Sequence, residues 1–235
     1  MARYKKEQPT SFALGTTLVF ELLKTKPQLA SRLYINPKQN RDDTYFSLLQ
    51  IAKENHIPTI ENNEKIFREL TEKDNCMVIA EFQKEEEKLD EKANHVCLVN
   101  PSNLGNLGTI MRSMAGFSFL NLAIIKPAAD PFDPKTIRAS MGAIFHLHVK
   151  RYDDFEAYEK EFPNHHLYPF MLQTKNSIKT LQKASPCTLI FGNEATGLDR
   201  SFLKKGTPVL IPHSNLIDSL NLDNACSIAF YEFSK

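Results

Sequence analysis

The sequence predicts an α/β protein in two parts, the second organised around a mostly parallel sheet. Three observations predict it. Short strand-like and helix-like stretches alternate along the 235-residue chain. A nearly all-charged run, Gln83 through Lys92, interrupts them once. Beyond that run, apolar stretches recur with helical segments between them, and repeated βα units imply parallel strands covered on both faces.

In the first part, Phe12, Leu18, Val19, Leu22 and Leu23 place one helix face within Ser11–Lys24. Arg32–Asn36 reads as a short strand, Tyr45–Ala52 as helical, Ile57–Ile60 as extended, Ile66–Leu70 as one or two helical turns, and Cys76–Phe82 as a buried strand. The charged run reads as a solvated linker. It sets three segments: a first domain over 1–84, a linker over 85–94 and a second domain over 95–235. In the second domain His95–Val99, Phe119–Ile125, Phe145–Val149, Leu167–Met171, Thr188–Phe191 and Pro208–Ile211 read as strands, and an apolar-faced helix runs from about Leu220 to Phe233. Asp42-Asp43 and Asp153-Asp154 read as helix starts, where carboxylates favour exposed amides.

Composition excludes several classes. No apolar run approaches the ~18 residues of a membrane span, and the first residues lack the apolar stretch of a secretory signal. Four cysteines (Cys76, Cys97, Cys187, Cys226) are scattered without a CxxC pair, so neither a disulfide framework nor a zinc knuckle is indicated, and a cytoplasmic setting is expected. His146 with His148, and His165 with His166, lack a third ligand nearby and read as ordinary core or surface histidines; no metal is expected. Net charge is only +1. That balance gives a nucleic-acid partner no support, and one would require the basic residues to cluster locally.

Three loops carry the candidate chemistry. The first, Val99 through Ser113, follows a strand and opens a helix. Its tandem Asn-Leu-Gly triplets, Asn103–Gly105 and Asn106–Gly108, suggest tight turns, with Asn106 as a helix cap and Arg112 nearly two turns on. It is neither GxGxxG nor a Walker loop, and a capped helix after a loop explains it equally well. The second, Leu189 through Leu198, puts Glu194 between Gly192 and Gly197, where a carboxylate can accept from backbone amides or order a basic partner. The third, Leu210 through Ala225, runs from Pro212 into the terminal helix, with Ser219 as its cap and Asn221 in its first turn.

Taken together and in this order, these loops resemble the three motifs of the SpoU (TrmH) methyltransferases, a branch of the SPOUT superfamily. Asn106 through Ser113 is similar to motif one, Phe191 through Leu198 to motif two, and Ile211-Pro212 through Asn221 to motif three. Ile137 through Ala143 is similar to the family's wording between the first two. The match spans about Val96–Phe233. Ser11–Phe82 resembles, by length and order, the small ribosomal-protein-like domain that precedes this catalytic domain.

The resemblance implies an α/β catalytic domain whose C-terminal segment forms a trefoil knot, an exception to the rule against threading. It implies S-adenosylmethionine as cofactor, structured RNA as substrate, ribosomal RNA ahead of transfer RNA, a homodimer, and methyl transfer to a ribose 2'-hydroxyl. Gly192, Asn193, Glu194, Ile211, Leu220 and Asn221 would bind the cofactor. Arg112, Asn106, Glu194, Ser219 and Asn221 would form the catalytic group, and Arg112 with Arg138 would meet RNA. Arg112 is open to two roles, base or electrostatic stabiliser. Asn103 and Asn106 are rivals for the motif-one position. His213 and Asn215 stand where the family usually has methionine and glycine. A tRNA ribose methyltransferase or a non-catalytic RNA-binding protein of the same fold are the alternatives.

Overall fold

The computed structural model describes residues 4–71 and 75–235. Its chain divides into two units, Met1–Glu85 with Asp130–His146, and Glu86–Ala129 with Leu147–Lys235.

The first unit holds a four-stranded sheet of order β1-β4-β2-β3, made of β1 (Thr10–Leu14), β2 (Ala30–Ile35), β3 (Thr59–Ile60) and β4 (Val78–Gln83). The helices α1 (Thr16–Thr25), α2 (Asp43–Glu54) and α3 (Glu64–Leu70) connect them. The helix expected over Ser11–Lys24 is therefore a strand and a helix. Phe12 belongs to β1, antiparallel to Glu81 of β4, and Gly15 at φ +102° turns the chain into α1. Leu18, Val19, Leu22 and Leu23 form the buried face of α1 as the spacing requires. Asp42 caps α2 by accepting from the Tyr45 amide, as its position suggested.

The segment 130–146, expected inside one continuous second domain, groups with the first unit. It carries α5 (Pro134–Ala139), capped by Asp133, which packs on β1. A 3-10 turn at Ala143–His146 replaces the start of the strand expected at Phe145. Gly142, at φ +85°, forces that turn. His146 pairs there with Glu21 at 2.8 Å.

The second unit is a five-stranded, all-parallel sheet of order β7-β6-β5-β9-β8. Its strands are β5 (His95–Val99), β6 (Asn121–Ile125), β7 (His148–Tyr152), β8 (His166–Pro169) and β9 (Cys187–Phe191), with helices α4 (Leu104–Gly116), α6 (Phe155–Glu161) and α7 (Leu222–Phe233). Every residue of β6 and β9 is buried, the near-continuous apolar run of a sheet covered on both faces. Pro208–Ile211, expected as a strand, contributes only single parallel bridges, Val209 to Phe170 and Leu210 to Ser177.

The charged run is not a free linker. Glu86 accepts from Arg151 Nε at 2.6 Å, Glu87 meets His148 at 3.0 Å, and Leu89 is buried in the core of the second unit. Lys150 and Arg151 can occupy β7 because Glu161 and Glu86 pair with them. At the amino ends of the strands lies a buried polar cluster. His95 contacts the Tyr158 hydroxyl at 2.9 Å and the Asp90 carbonyl at 2.8 Å, while His165 meets Thr188 Oγ1 and the Glu91 carbonyl, both at 2.9 Å. Burial pushes the His95 imidazole down to about 4, so it is neutral and part of the core.

Candidate active site

The second sheet grows from β5 through β6 to β7, then the chain returns to the other side of β5 to lay down β8 and β9. Loops leaving the carboxyl ends of β5 and β9 therefore diverge in sequence yet lie side by side, and such a reversal of strand order opens a crevice for ligands.

Close approach dictates the loop after β9. A Cβ on Gly192 would lie 2.1 Å from the Gly197 carbonyl carbon and 2.3 Å from the Leu198 nitrogen, so only glycine fits. Asn193 and Gly197 exchange backbone hydrogen bonds of 3.3 and 2.9 Å. The Asn193 side chain accepts from the Ala195 and Thr196 amides and donates to the Asn100 carbonyl at 2.9 Å, which ties this loop to the one after β5. Gly197 sits at φ +67°.

Glu194 makes the second tie. Its carboxylate accepts from the Ser102 amide (3.0 Å), the Ser102 hydroxyl (2.8 Å), the Asn103 amide (3.1 Å) and Asn106 Nδ2 (3.5 Å). Partial burial opposes its ionisation, but the donors from Ser102 and Asn103 outweigh that and hold the carboxyl below its ordinary range. Acceptance from backbone amides is the role its position suggested.

These contacts decide the roles of the two asparagines. Asn103, not Asn106, caps α4, its side chain accepting from the Asn106 amide at 3.0 Å. Asn106 lies inside the first turn and turns its side chain to Glu194. The second Asn-Leu-Gly triplet is thus helix rather than loop, a shift of one turn from the expected start. Arg112 follows on α4, exposed and without a hydrogen-bond or ion-pair partner among the described residues. The next residue, Ser113, shares a 2.9 Å hydrogen bond with Ser227 of α7.

The third loop differs from expectation at its cap. The helix α7 begins at Leu222 with Asn221 at the N-cap position, and no side chain caps it. Ser219 lies two residues before Asn221 and is free for another use. Ser219, Leu220 and Ile211 all line a cavity of about 220 Å³ together with Gly192, Asn193 and Glu194. Asn221 and Arg112 do not line it. Phe170 and Phe191, stacked with centroids 4.5 Å apart, Leu198 and Val209 supply apolar walls. The cavity thus suits a ligand with a flat apolar end and a polar or charged end. Arg138, exposed on α5, belongs to the first unit.

Two contributions escaped the sequence. The loop after β8, Phe170 to Gln173, forms one wall, as the carboxyl end of any strand beside β9 would. Ser102 holds Glu194 with two donors, and no feature of the sequence points to it. Among the described residues no group of three or more His, Cys, Asp or Glu side chains could hold a metal, and no helix is long and apolar enough to cross a membrane.

Comparison with known proteins agrees with the geometry. The model of the SpoU rRNA methylase family matches residues 93–231, and that of RNA 2'-O ribose methyltransferase substrate binding matches residues 12–88. The chain is 29% identical over 174 residues to the 23S rRNA (guanosine(2553)-2'-O)-methyltransferase RlmP of Bacillus subtilis strain 168, covering 72% of this chain and 69% of that one. It is 28% identical over 130 residues to ribosomal RNA small subunit methyltransferase G 2 of Syntrophobacter fumaroxidans, and spans only 25% of that relative's length. The crystal structure of an AdoMet-bound rRNA methyltransferase from Sinorhizobium meliloti superposes with a TM-score of 0.83 at 25% identity, covering 95% of this chain and 86% of that one.

Proposed function

The chain belongs to the SpoU rRNA methylase family, and from that premise we propose that it transfers a methyl group from S-adenosylmethionine to a ribose 2'-hydroxyl of structured RNA. The observation that carries the reading is the cavity at the carboxyl ends of β8 and β9, walled by the second and third motif loops and tied to the first, and so to the Arg112 helix, through Glu194. Gly192, Asn193, Glu194, Ile211, Ser219 and Leu220 would hold the cofactor. Asn221, at the helix entrance beside Leu220, would act at the edge of the same site. Bound there, the cofactor supplies an electrophilic methyl on a sulfonium.

The remaining difficulty is the weak acidity of a ribose hydroxyl. Free guanidinium groups lose a proton only above about pH 12, so Arg112 is a poor base. Exposed and without an acidic partner, it suits the stabilisation of an oxyanion developing on the ribose and the grip of an adjacent phosphate. Asn106 and Glu194 then act chiefly by holding α4 in place, which is the effective-concentration part of catalysis. Arg138 would add a phosphate contact from the first unit.

The partner would be RNA, ribosomal RNA ahead of transfer RNA: the substrate-binding match precedes the methylase match in this chain, and an rRNA methyltransferase structure superposes over 95% of it. The chain would work as a homodimer. Leu216, Ile217, Ile228 and Tyr231, all exposed, offer an apolar surface on α7 and the loop before it. The passage of 209–210 beside Phe170 and Ser177 fits a trefoil knot in the C-terminal segment. Four buried free thiols fit a reducing, cytoplasmic compartment. Mapping 2'-O-methylated riboses in RNA from cells with and without the protein tests the assignment: one or more rRNA sites disappear with the gene. Loss only in tRNA would redirect the substrate, and no loss would remove the activity.

A further inference from the structure

We propose that Ser102 is a positioning residue for methyl transfer, its hydroxyl locking the Glu194 carboxylate of the cofactor cavity to the entry of the Arg112 helix. The inference rests on the roles given above to Arg112 and the cavity.

Glu194 lines the cavity, yet its carboxylate is fully engaged. Ser102, Asn103 and Asn106 direct four donors at it, and Asn193 Nδ2 adds a fifth at 3.4 Å. A carboxylate so occupied neither takes a proton nor waits for a substrate cation; it joins two loops. The Ser102 hydroxyl is the shortest of the five contacts at 2.8 Å, and charge-assisted hydrogen bonds of this kind are the strong ones. Ser102 stands directly before Asn103, the α4 cap. On its other side, the Pro101 carbonyl accepts from Ala129 at 2.7 Å and the Asn100 carbonyl from Asn193. The stretch 100–103 is therefore anchored at every residue, and Ser102 is the one that reaches the cavity lip with both backbone and side chain.

From this anchor α4 runs as a rod to Arg112, ten residues and about 15 Å away at 1.5 Å per residue. A change of angle at the entry moves the guanidinium by ångströms, and displacement of a reacting group by about 1 Å costs on the order of a hundredfold in rate. Ser113 steadies the far side through Ser227. Removing only the Ser102 hydroxyl leaves three of the four donors from 102–106, so the loop and the cavity persist. The effect falls on turnover rather than on cofactor affinity.

The test compares wild type, Ser102→Ala and Ser102→Thr in the full chain. It measures kcat and KM for RNA, the Kd for S-adenosylmethionine by calorimetry, and amide exchange across 104–110. Ser102→Ala is expected to lower kcat about tenfold, with the cofactor Kd within about twofold and faster exchange in the first turn of α4. Ser102→Thr restores kcat, because it restores the hydroxyl. An unchanged kcat in Ser102→Ala, or failure of Ser102→Thr to rescue, overturns the proposal while an active wild type leaves the functional reading standing. A cofactor Kd that weakens as much as kcat falls also overturns it, since Ser102 would then serve the cavity alone. Absence of transfer by wild type sinks the functional reading itself, and the reference arm reveals that separately.

Discussion

Gly192→Ala is the most direct perturbation of the proposed cofactor cavity. Its Cβ would sit 2.1 Å from a backbone carbon and 2.3 Å from a backbone oxygen and nitrogen, where ordinary contact begins at 3.4 Å. Backbone of Gly197 and Leu198 must retreat by about 1 Å or more, since no flexible side chain is available to give way. A retreat of that size breaks the 3.3 and 2.9 Å backbone pair between Asn193 and Gly197. Two hydrogen bonds at about 1 kcal/mol each and an overpacking cost of about 1–3 kcal/mol give about 3–5 kcal/mol of local strain. If half of it is expressed at the cavity, affinity falls by about thirtyfold, because each 1.4 kcal/mol is tenfold. Calorimetric titration with S-adenosylmethionine, on protein shown by circular dichroism to retain its helices and strands, measures this. A folded Gly192→Ala protein that binds the cofactor within threefold of wild type would refute the placement of the ligand against this loop.

Arg112→Ala is expected to abolish transfer, at least a hundredfold in kcat, with cofactor affinity kept within about threefold, because Arg112 lies outside the cavity. Single-turnover kinetics beside calorimetry measure both, and an undiminished rate removes Arg112 from the mechanism. Acid should destabilise the second unit through His95. Its folded value of about 4 lies below the unfolded 6.5, so the unfolded chain binds the extra proton and stability present above pH 6.5 is lost as pH falls toward 4. The loss amounts to about 3 kcal/mol, and an NMR titration midpoint for the His95 ring at or above 6.5 would contradict it. Tyr231→Asp should convert a dimer into a monomer in sedimentation; a wild type that sediments as a monomer at all concentrations removes the proposed homodimer.

The legible parts of the fold were those where one physical signal acts alone. The buried β5 is legible residue for residue, because a parallel strand inside two helical layers is an uninterrupted apolar run. Asp42 and Asp154 were readable as caps because a carboxylate before a helix has one local use. Where signals overlap, an element is masked. Phe12 stands at helical spacing from Val19 and hides β1, although Gly15 marks the break. Lys150 and Arg151 concealed the end of β7, because their neutralising partners, Glu161 and Glu86, are neighbours only in three dimensions. The site divides in the same way. Gly192, Glu194, Ile211, Ser219 and Leu220 converge on one cavity, but the cap assignments to Asn106 and Ser219 failed because two helix starts were misplaced by one turn or less. Ser102 was invisible: its meaning lies wholly in a carboxylate 92 positions away.

The central claim is methylation of a ribose rather than a base. Purified protein, S-adenosylmethionine labelled in its methyl group and ribosomal RNA lacking the modification, followed by digestion to nucleosides, test it most directly. Label recovered in a 2'-O-methylated nucleoside, and absent with Arg112→Ala, is the predicted result. Label recovered on a base, or no transfer by cofactor-bound wild type to either ribosomal or transfer RNA, would contradict it.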